Sequence, residues 1–317
     1  MRVCWWSDLW LWSIIIFVKF SVGYQEGDSW IDAIVANRAS VYECYFSFGL
    51  MPSGRHCVCD PARQLEDLGR LADGGVALNI LFNANCYGAR AESKSFFGEV
   101  GEALERFSDG DALKSVTTTS PLVARFVKDN FPELKTRASV NMEIGTVEGM
   151  EYLSDRFDGY YVKRELNRDL AAFAALKRWA DANGKELFML ANSGCLNNCS
   201  SHIFHDNLVA HESEIVKEDN GYAYCGTCWE YLKREIDKDK ILSRWNWVKP
   251  EDIHLYEGLV AAAKLATRIN ADPERVLESY VSGRHAGNIL DLMEPNHSSV
   301  LKDKFDLIKD EICSPAL

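Results

Sequence analysis

Short runs of apolar, β-branched and aromatic residues alternate along most of the chain with amphipathic stretches and turn residues. The runs predict strands at residues 17–23, 40–46, 77–82, 115–119, 137–140, 159–162 and 187–191. Helical spacing and cap residues predict helices between them, at 28–37, 61–72, 97–107, 121–130, 146–157 and 168–182. Gly74-Gly75 and Asn183-Gly184 supply two of the stops. An eighth strand is expected at 261–266, although its alanines favour helix by intrinsic propensity. Further helices near 273–281 and 288–293 precede a charged stretch.

Strands that alternate with helices through short connections must run parallel. Eight such units close most simply into a (β/α)8 barrel, expected to occupy residues 17–295 as one domain. Seven units would make an open, doubly wound sheet equally well. Residues 192–249 break the rhythm and are expected to be an insertion after strand seven, lying over one mouth of the barrel. An apolar extension, 1–16, and a charged tail, 296–317, flank the domain.

In a barrel the loops leaving the carboxyl ends of the strands converge on one face, and that face carries the chemistry. The residues at those ends here include Asn83, Asn85, Asn141, Lys163 and Asn192. An amide packs poorly after an apolar strand but orients a polar ligand well, so the asparagines are expected to bind substrate. Lys163, together with Arg268, is expected to supply positive charge for a carboxylate.

Composition narrows the partners. With 47 acidic against 35 basic residues the net charge is −12, which opposes the counterion-release attraction behind non-specific nucleic-acid binding. Ten cysteines in 317 residues are too few for a disulfide scaffold, and their spacing suits metal ligands or redox pairs in a reducing compartment. Met1-Arg2, the apolar run 9–18 and Ser21-Val22-Gly23 can be read as a signal peptide. Asp8 and Lys19 count against that reading, and cleavage after Gly23 would remove the first strand. The run is also short for a membrane span, so a cytoplasmic protein without membrane attachment is expected.

The insertion carries the candidate metal chemistry. Cys195-x3-Cys199 is followed after 25 residues by Cys225-x2-Cys228, two ligand pairs that a loop can bring together. Four thiolates hold an iron–sulfur cluster, and zinc accepts the same four. His202, His205 and His211 lie in the same window, as polar neighbours, a fourth ligand or surface residues. Cys86, beside Asn83 and Asn85, is the best ligand candidate outside it; Cys44, Cys57 and Cys59 are weaker, and Cys4 and Cys313 are terminal.

Three stretches resemble the collagenase-like peptidase family U32 and the related oxygen-independent hydroxylases of ubiquinone synthesis and of RNA. They are Asn192-Ser-Gly-Cys195 after a strand with a second cysteine group beyond it, Trp247-Val-Lys-Pro-Glu-Asp252, and Lys264-Leu-Ala-Thr-Arg268. The resemblance implies a barrel with a four-iron four-sulfur cluster on cysteines around its mouth. It also implies hydroxylation without dioxygen, for which some members use prephenate as oxygen source. On that basis Cys195 matches the family's Ser-Gly-x-Cys cysteine, and Cys225 or Cys228 its later ones. The chain departs from the family in lacking an arginine before Cys195, in the additional Cys199, and in the acidic spacer 212–219.

The expected protein is therefore an iron–sulfur barrel acting on a small polar or aromatic substrate, alone or with a homologous partner subunit. Cys195, Cys199, Cys225 and Cys228 would be its ligands, with zinc the alternative metal. A metal-dependent hydrolase or a non-catalytic, metal-stapled subunit are the rival classes. No Gly-x-Ser-x-Gly elbow or His-Glu-x-x-His pair is present to support proteolysis, and no catalytic residue can be named from the sequence.

Overall fold

A computed structural model describes residues 18–55, 59–108, 110–222 and 224–301. The expected N-terminal extension, nearly all of the C-terminal tail, and Cys4, Cys57 and Cys313 lie outside those residues. Eight parallel strands close in sequence order: β1 (Phe20–Gly23), β2 (Val41–Phe46), β3 (Leu78–Phe82), β4 (Leu113–Thr118), β5 (Lys135–Ala138), β6 (Gly159–Tyr161), β7 (Glu186–Leu190) and β8 (Ala262–Leu265). Pairing of β1 with β8 completes the (β/α)8 barrel and excludes the open sheet.

Period-two alternation sorts the strand residues between two environments. Phe20 and Val22, Cys44 and Phe46, Ile80 and Phe82, Leu187 and Met189, and Ala263 and Leu265 join the core beneath the outer helices. The intervening residues face the barrel axis. There the lower layer is polar: the Glu43 carboxylate accepts from Arg137 Nη1 (2.6 and 2.5 Å), Asn79 Nδ2 (2.8 Å), Ser21 Oγ (3.1 Å) and Ser115 Oγ (3.2 Å). The Arg137 guanidinium also stacks 4.4 Å above the Phe188 ring. The two charges in this layer are thus paired with each other inside the barrel, although Arg137 Nε is left without a hydrogen-bond partner.

The outer helices follow the cap residues. They are α1 (Asp28–Ala36), α2 (Pro61–Asp73), α3 (Lys94–Ser108), α4 (Pro121–Asn130), α5 (Val147–Glu151) and α6 (Leu170–Ala182). Asp60, Ser120 and Asp169 accept from backbone N–H groups in the first turns of α2, α4 and α6. The helix expected over 146–157 ends at Glu151. Beyond it the chain closes tight turns, Ser154 N–H to Glu151 O and Arg156 N–H to Leu153 O, which bring Phe157 into the core ahead of β6.

The insertion is itself folded, as α7 (His202–Ala210), α8 (Glu212–Ile215), α9 (Thr227–Arg234) and α10 (Lys238–Ser243). It has its own core, in which Cys228, Leu232, Ile241 and Trp245 pack against Ile289, Leu290 and Met293 from the segment after α11 (Pro273–Ser282). That segment, expected as a helix over 288–293, is a 3-10 turn at Ile289–Leu292. Glu294 beyond it bridges in parallel to Ser193, so insertion and C-terminal segment meet over the carboxyl end of β7. Among the described residues no helix is long and apolar enough to cross a membrane.

Candidate functional site

A cavity of about 300 Å³ opens at the carboxyl ends of the strands, between the barrel and the insertion. Its floor is the upper axial layer, where Tyr45 of β2 and Lys264 of β8 face the opening. Lys264 is only 8% exposed, and its ammonium sits 3.9 Å from the centre of the Tyr45 ring and 5.5 Å from that of Tyr161. Burial, aided by the nearby Arg268 charge, pulls its pKa down to about 7. The cavity therefore holds an amine that changes charge near neutrality.

One wall is polar and braced. Asn83 Oδ1 accepts from Gly54 N–H (3.0 Å) and Ser53 Oγ (3.3 Å), and Asn141 Nδ2 donates to Asn83 O (3.2 Å). Arg268 Nη1 donates to Arg55 O (2.7 Å) and Ser53 Oγ (3.3 Å). Arg55 in turn pairs with Glu294. Burial raises the Glu294 carboxyl against the opposing charge of Arg55.

The opposite wall is centred on Arg164, just after β6 and 6% exposed. Its guanidinium contacts His202, Asp206 Oδ2 (3.4 Å), Glu143 Oε1 (3.5 Å) and Cys195 Sγ (3.6 Å). Burial works against the Arg164 charge, but Cys195 and the surrounding carboxylates overcome it and raise the pKa. Asp206 is likewise held low despite burial, by its hydrogen bond from His202 and by Arg164. Burial raises Glu143, with Arg164 opposing. Ligand atoms of Glu143, Glu165 and His202 lie within 4.8 Å of one another, a group able to hold a metal ion. Arg164 already supplies positive charge at that spot.

Cys195, Cys225 and Cys228 line the cavity. Cys199 lies outside the lining but is close enough to Cys195 and Cys228 to raise the pKa of each. Burial is the largest influence on both, pushing the Cys228 thiol up to about 11 and Cys195 upward against the pull of Arg164. Such thiols stay protonated until a metal displaces the proton. A single tetrahedral zinc requires sulfurs roughly 3.8 Å apart, from Zn–S bonds of ~2.3 Å. Among the described residues no three thiols bring their sulfurs within 4.8 Å of one another.

Of the other expected site residues, Asn83, Asn141 and Arg268 line the cavity, whereas Asn85, Lys163 and Asn192 do not. Asn192 is fully buried: its Nδ2 donates to Ala266 O (3.0 Å) and Leu292 O (2.9 Å), and its Oδ1 accepts from Ala266 N–H (2.7 Å). Its amide is consumed in tying β7 to β8 and to the C-terminal segment, which corrects the expectation that it orients a ligand. Lys163 lays its methylenes over Gly145, away from the cavity. Lys264, Asp206 and Glu294 were not foreseen as site residues, and Arg164 was read only as one of the polar residues at the strand ends. A lysine amid alanines in β8 was the available signal for the first; Asp206 and Glu294 depend on where the insertion and C-terminal segment settle.

No protein-family model matches the chain. It is 22% identical over 268 residues to a protein of Methanocaldococcus jannaschii described as "Uncharacterized protease MJ1657", covering 80% of this chain and 75% of that one. Among solved structures, that of "the U32 Peptidase Mk0906" superimposes with a TM-score of 0.57 at 15% identity, over 78% of this chain and 91% of the other. The second likeness carries the fold. Both likenesses are distant, and the motifs around Cys195 and Lys264 are the stretches in which the chain resembles the U32 peptidase-like family.

Proposed function

We propose that the chain is an iron–sulfur barrel protein that carries out redox chemistry, of the oxygen-independent hydroxylation type, on a small polar or aromatic substrate. The observation that carries this reading is the convergence of Cys195, Cys225 and Cys228 on one cavity that also holds Lys264 and Arg268. The four thiols could hold a four-iron four-sulfur cluster or, alternatively, zinc. Such a cluster would supply one-electron transfer at the cavity wall.

The protein's own groups would do the rest. Lys264 and Arg268 attract a substrate carboxylate to the floor, and the Tyr45 ring offers an apolar face to an aromatic or unsaturated portion. Asn83 and Asn141, fixed by their mutual bonding, orient polar substituents. With its pKa near 7, Lys264 can also take up or release a proton during turnover.

A second reading, metal-dependent hydrolysis, is favoured by the Glu143, Glu165 and His202 group, whose three donors would leave coordination positions open on an ion. One experiment separates the two: anaerobic purification, visible spectroscopy, and iron, sulfide and zinc analysis of the wild type and of Cys195→Ala. A brown protein bleached by dithionite, with colour and iron lost in the variant, is the expected result. A colourless protein with one zinc per chain would overturn the cluster reading and favour the hydrolase.

A further inference from the structure

The floor of the cavity holds a buried lysine that no ion pair explains. Lys264 stands near the carboxyl end of β8, in register with Ser21 of β1 and Leu190 of β7. It is 8% exposed and lines the cavity, so the accessible part of its side chain faces the opening. A buried lysine is ordinarily kept for a carboxylate partner. The axial carboxylate, Glu43, is already engaged by Arg137, Asn79, Ser21 and Ser115. Among the described residues Lys264 makes no ion pair and no side-chain hydrogen bond; its ammonium meets the Tyr45 and Tyr161 rings instead, at 3.9 and 5.5 Å. A lone cation in such surroundings is costly, and it sits where the loops of a barrel converge.

An amine held in this way is a nucleophile for a carbonyl carbon, provided that it is neutral. Desolvation supplies the neutral form, which agrees with the lowered pKa of Lys264. The iminium that forms keeps a positive charge on the same nitrogen, where the Tyr45 ring face stabilises it. The lining also selects the ligand's charge. Arg55, Arg164, Lys264 and Arg268 stand against Asp206 and Glu294, a surplus of positive charge in a chain whose net charge is −12. Such a cavity draws anions. Arg268 lies over the same ring as Lys264, its guanidinium carbon 5.7 Å from the ring centre. A ligand that meets both groups therefore carries its carboxylate close to its carbonyl.

We propose that Lys264 captures small oxo acids, 2-oxo acids above all, as a Schiff base on the cavity floor, with Arg268 holding the carboxylate. The neutral amine attacks the carbonyl carbon: the C–N bond forms, the C=O π pair moves to oxygen, and a proton passes from nitrogen to that oxygen. A second proton, from solvent, lets the hydroxyl leave as water while the nitrogen lone pair closes the C=N bond. The product is an iminium, and addition of water returns amine and oxo acid. The iminium withdraws electrons from the adjacent carbon and acidifies its C–H bonds, which opens this site to enamine chemistry. No electrons are exchanged with a metal, so the capture does not rest on the proposed cluster.

The test incubates the full chain, purified anaerobically, with pyruvate and sodium cyanoborohydride, followed by intact mass and peptide mapping. One reduced pyruvate adduct per chain, on Lys264, is expected, and Lys264→Met removes it while the protein still melts cooperatively. The rate of trapping should reach half its maximum near pH 7, whereas a surface lysine would follow the ordinary value of 10.5. Acetone, which lacks the carboxylate, serves as the second probe, with both rates normalised to their reaction with a free amine. Pyruvate should be favoured by about tenfold or more, and Arg268→Gln should remove most of that preference. Absence of an adduct, or adducts spread over other lysines and unchanged in Lys264→Met, would overturn the proposal. Equal trapping of pyruvate and acetone, or a preference that Arg268→Gln leaves intact, would overturn the assignment to oxo acids. Because mapping of the wild type locates the adduct directly, the result stands apart from the folding of any variant and from the iron and zinc analysis.

Discussion

Lys264 owes its state to closure of the barrel. In β8 it follows two alanines, and only the neighbours across the axis, Tyr45 and Tyr161, make its surroundings apolar. The consequence for stability has a definite sign. The pKa falls from an ordinary 10.5 to about 7 on folding, so the buried charge destabilises the fold fully below pH 7. That penalty fades as pH rises toward 10.5, because the unfolded chain then loses its proton too. Lys264→Met should therefore raise the urea midpoint at pH 6, by an amount that shrinks steadily between pH 7 and 10.5. A stabilisation that does not depend on pH across that window would show that the lysine is not depressed. The lysine itself was legible in the sequence, but its burial was not, since nothing local to β8 indicates which residues stand opposite.

At the scale of elements, the site is assembled by one contact between distant segments. Gly194 N–H donates to Glu294 O (2.8 Å), Glu294 N–H donates to Asn192 O (3.0 Å), and His297 Nε2 lies 2.8 Å from Gly194 O. A Cβ on Gly194 would fall 2.3 Å from Pro295 O, a backbone atom that cannot swing aside. Gly194→Ala should thus separate the C-terminal segment from the start of the insertion. We expect a loss of roughly 1–3 kcal/mol, read as a lowered thermal midpoint. An unchanged midpoint would show that the contact is dispensable. The outer helices, by contrast, were readable one at a time, because caps such as Asp60 and Ser120 act within a single turn. The helix over 146–157 was overextended because its end is set by the turns that seat Phe157 in the core.

For the whole molecule, the polar knot at the lower end of the barrel joins five successive strands: Ser21 of β1, Glu43 of β2, Asn79 of β3, Ser115 of β4 and Arg137 of β5. Such a centre is costly to break from one side, because the remaining charge stays buried. Glu43→Gln should lower stability by about 3–5 kcal/mol in urea unfolding, and adding Arg137→Met should recover part of that loss. If the double variant is no more stable than Glu43→Gln, the knot is not held by charge pairing.

By itself the sequence determined the alternation of strands and helices, and therefore a parallel sheet, because both periodicities are written in neighbouring residues, whereas the pairing of β1 with β8 decided that it closes into a barrel. It also determined that four cysteines would gather in one insertion after strand seven. Tertiary structure alone decided which polar groups share the cavity: it brought in Lys264, Arg164, Asp206 and Glu294, kept Asn83, Asn141 and Arg268, and turned Asn192 into a backbone tie. The physical reason is one of range. Propensity, capping and periodicity act over a few residues, whereas burial and charge at the barrel mouth depend on segments as far apart in the chain as Arg55 and Glu294.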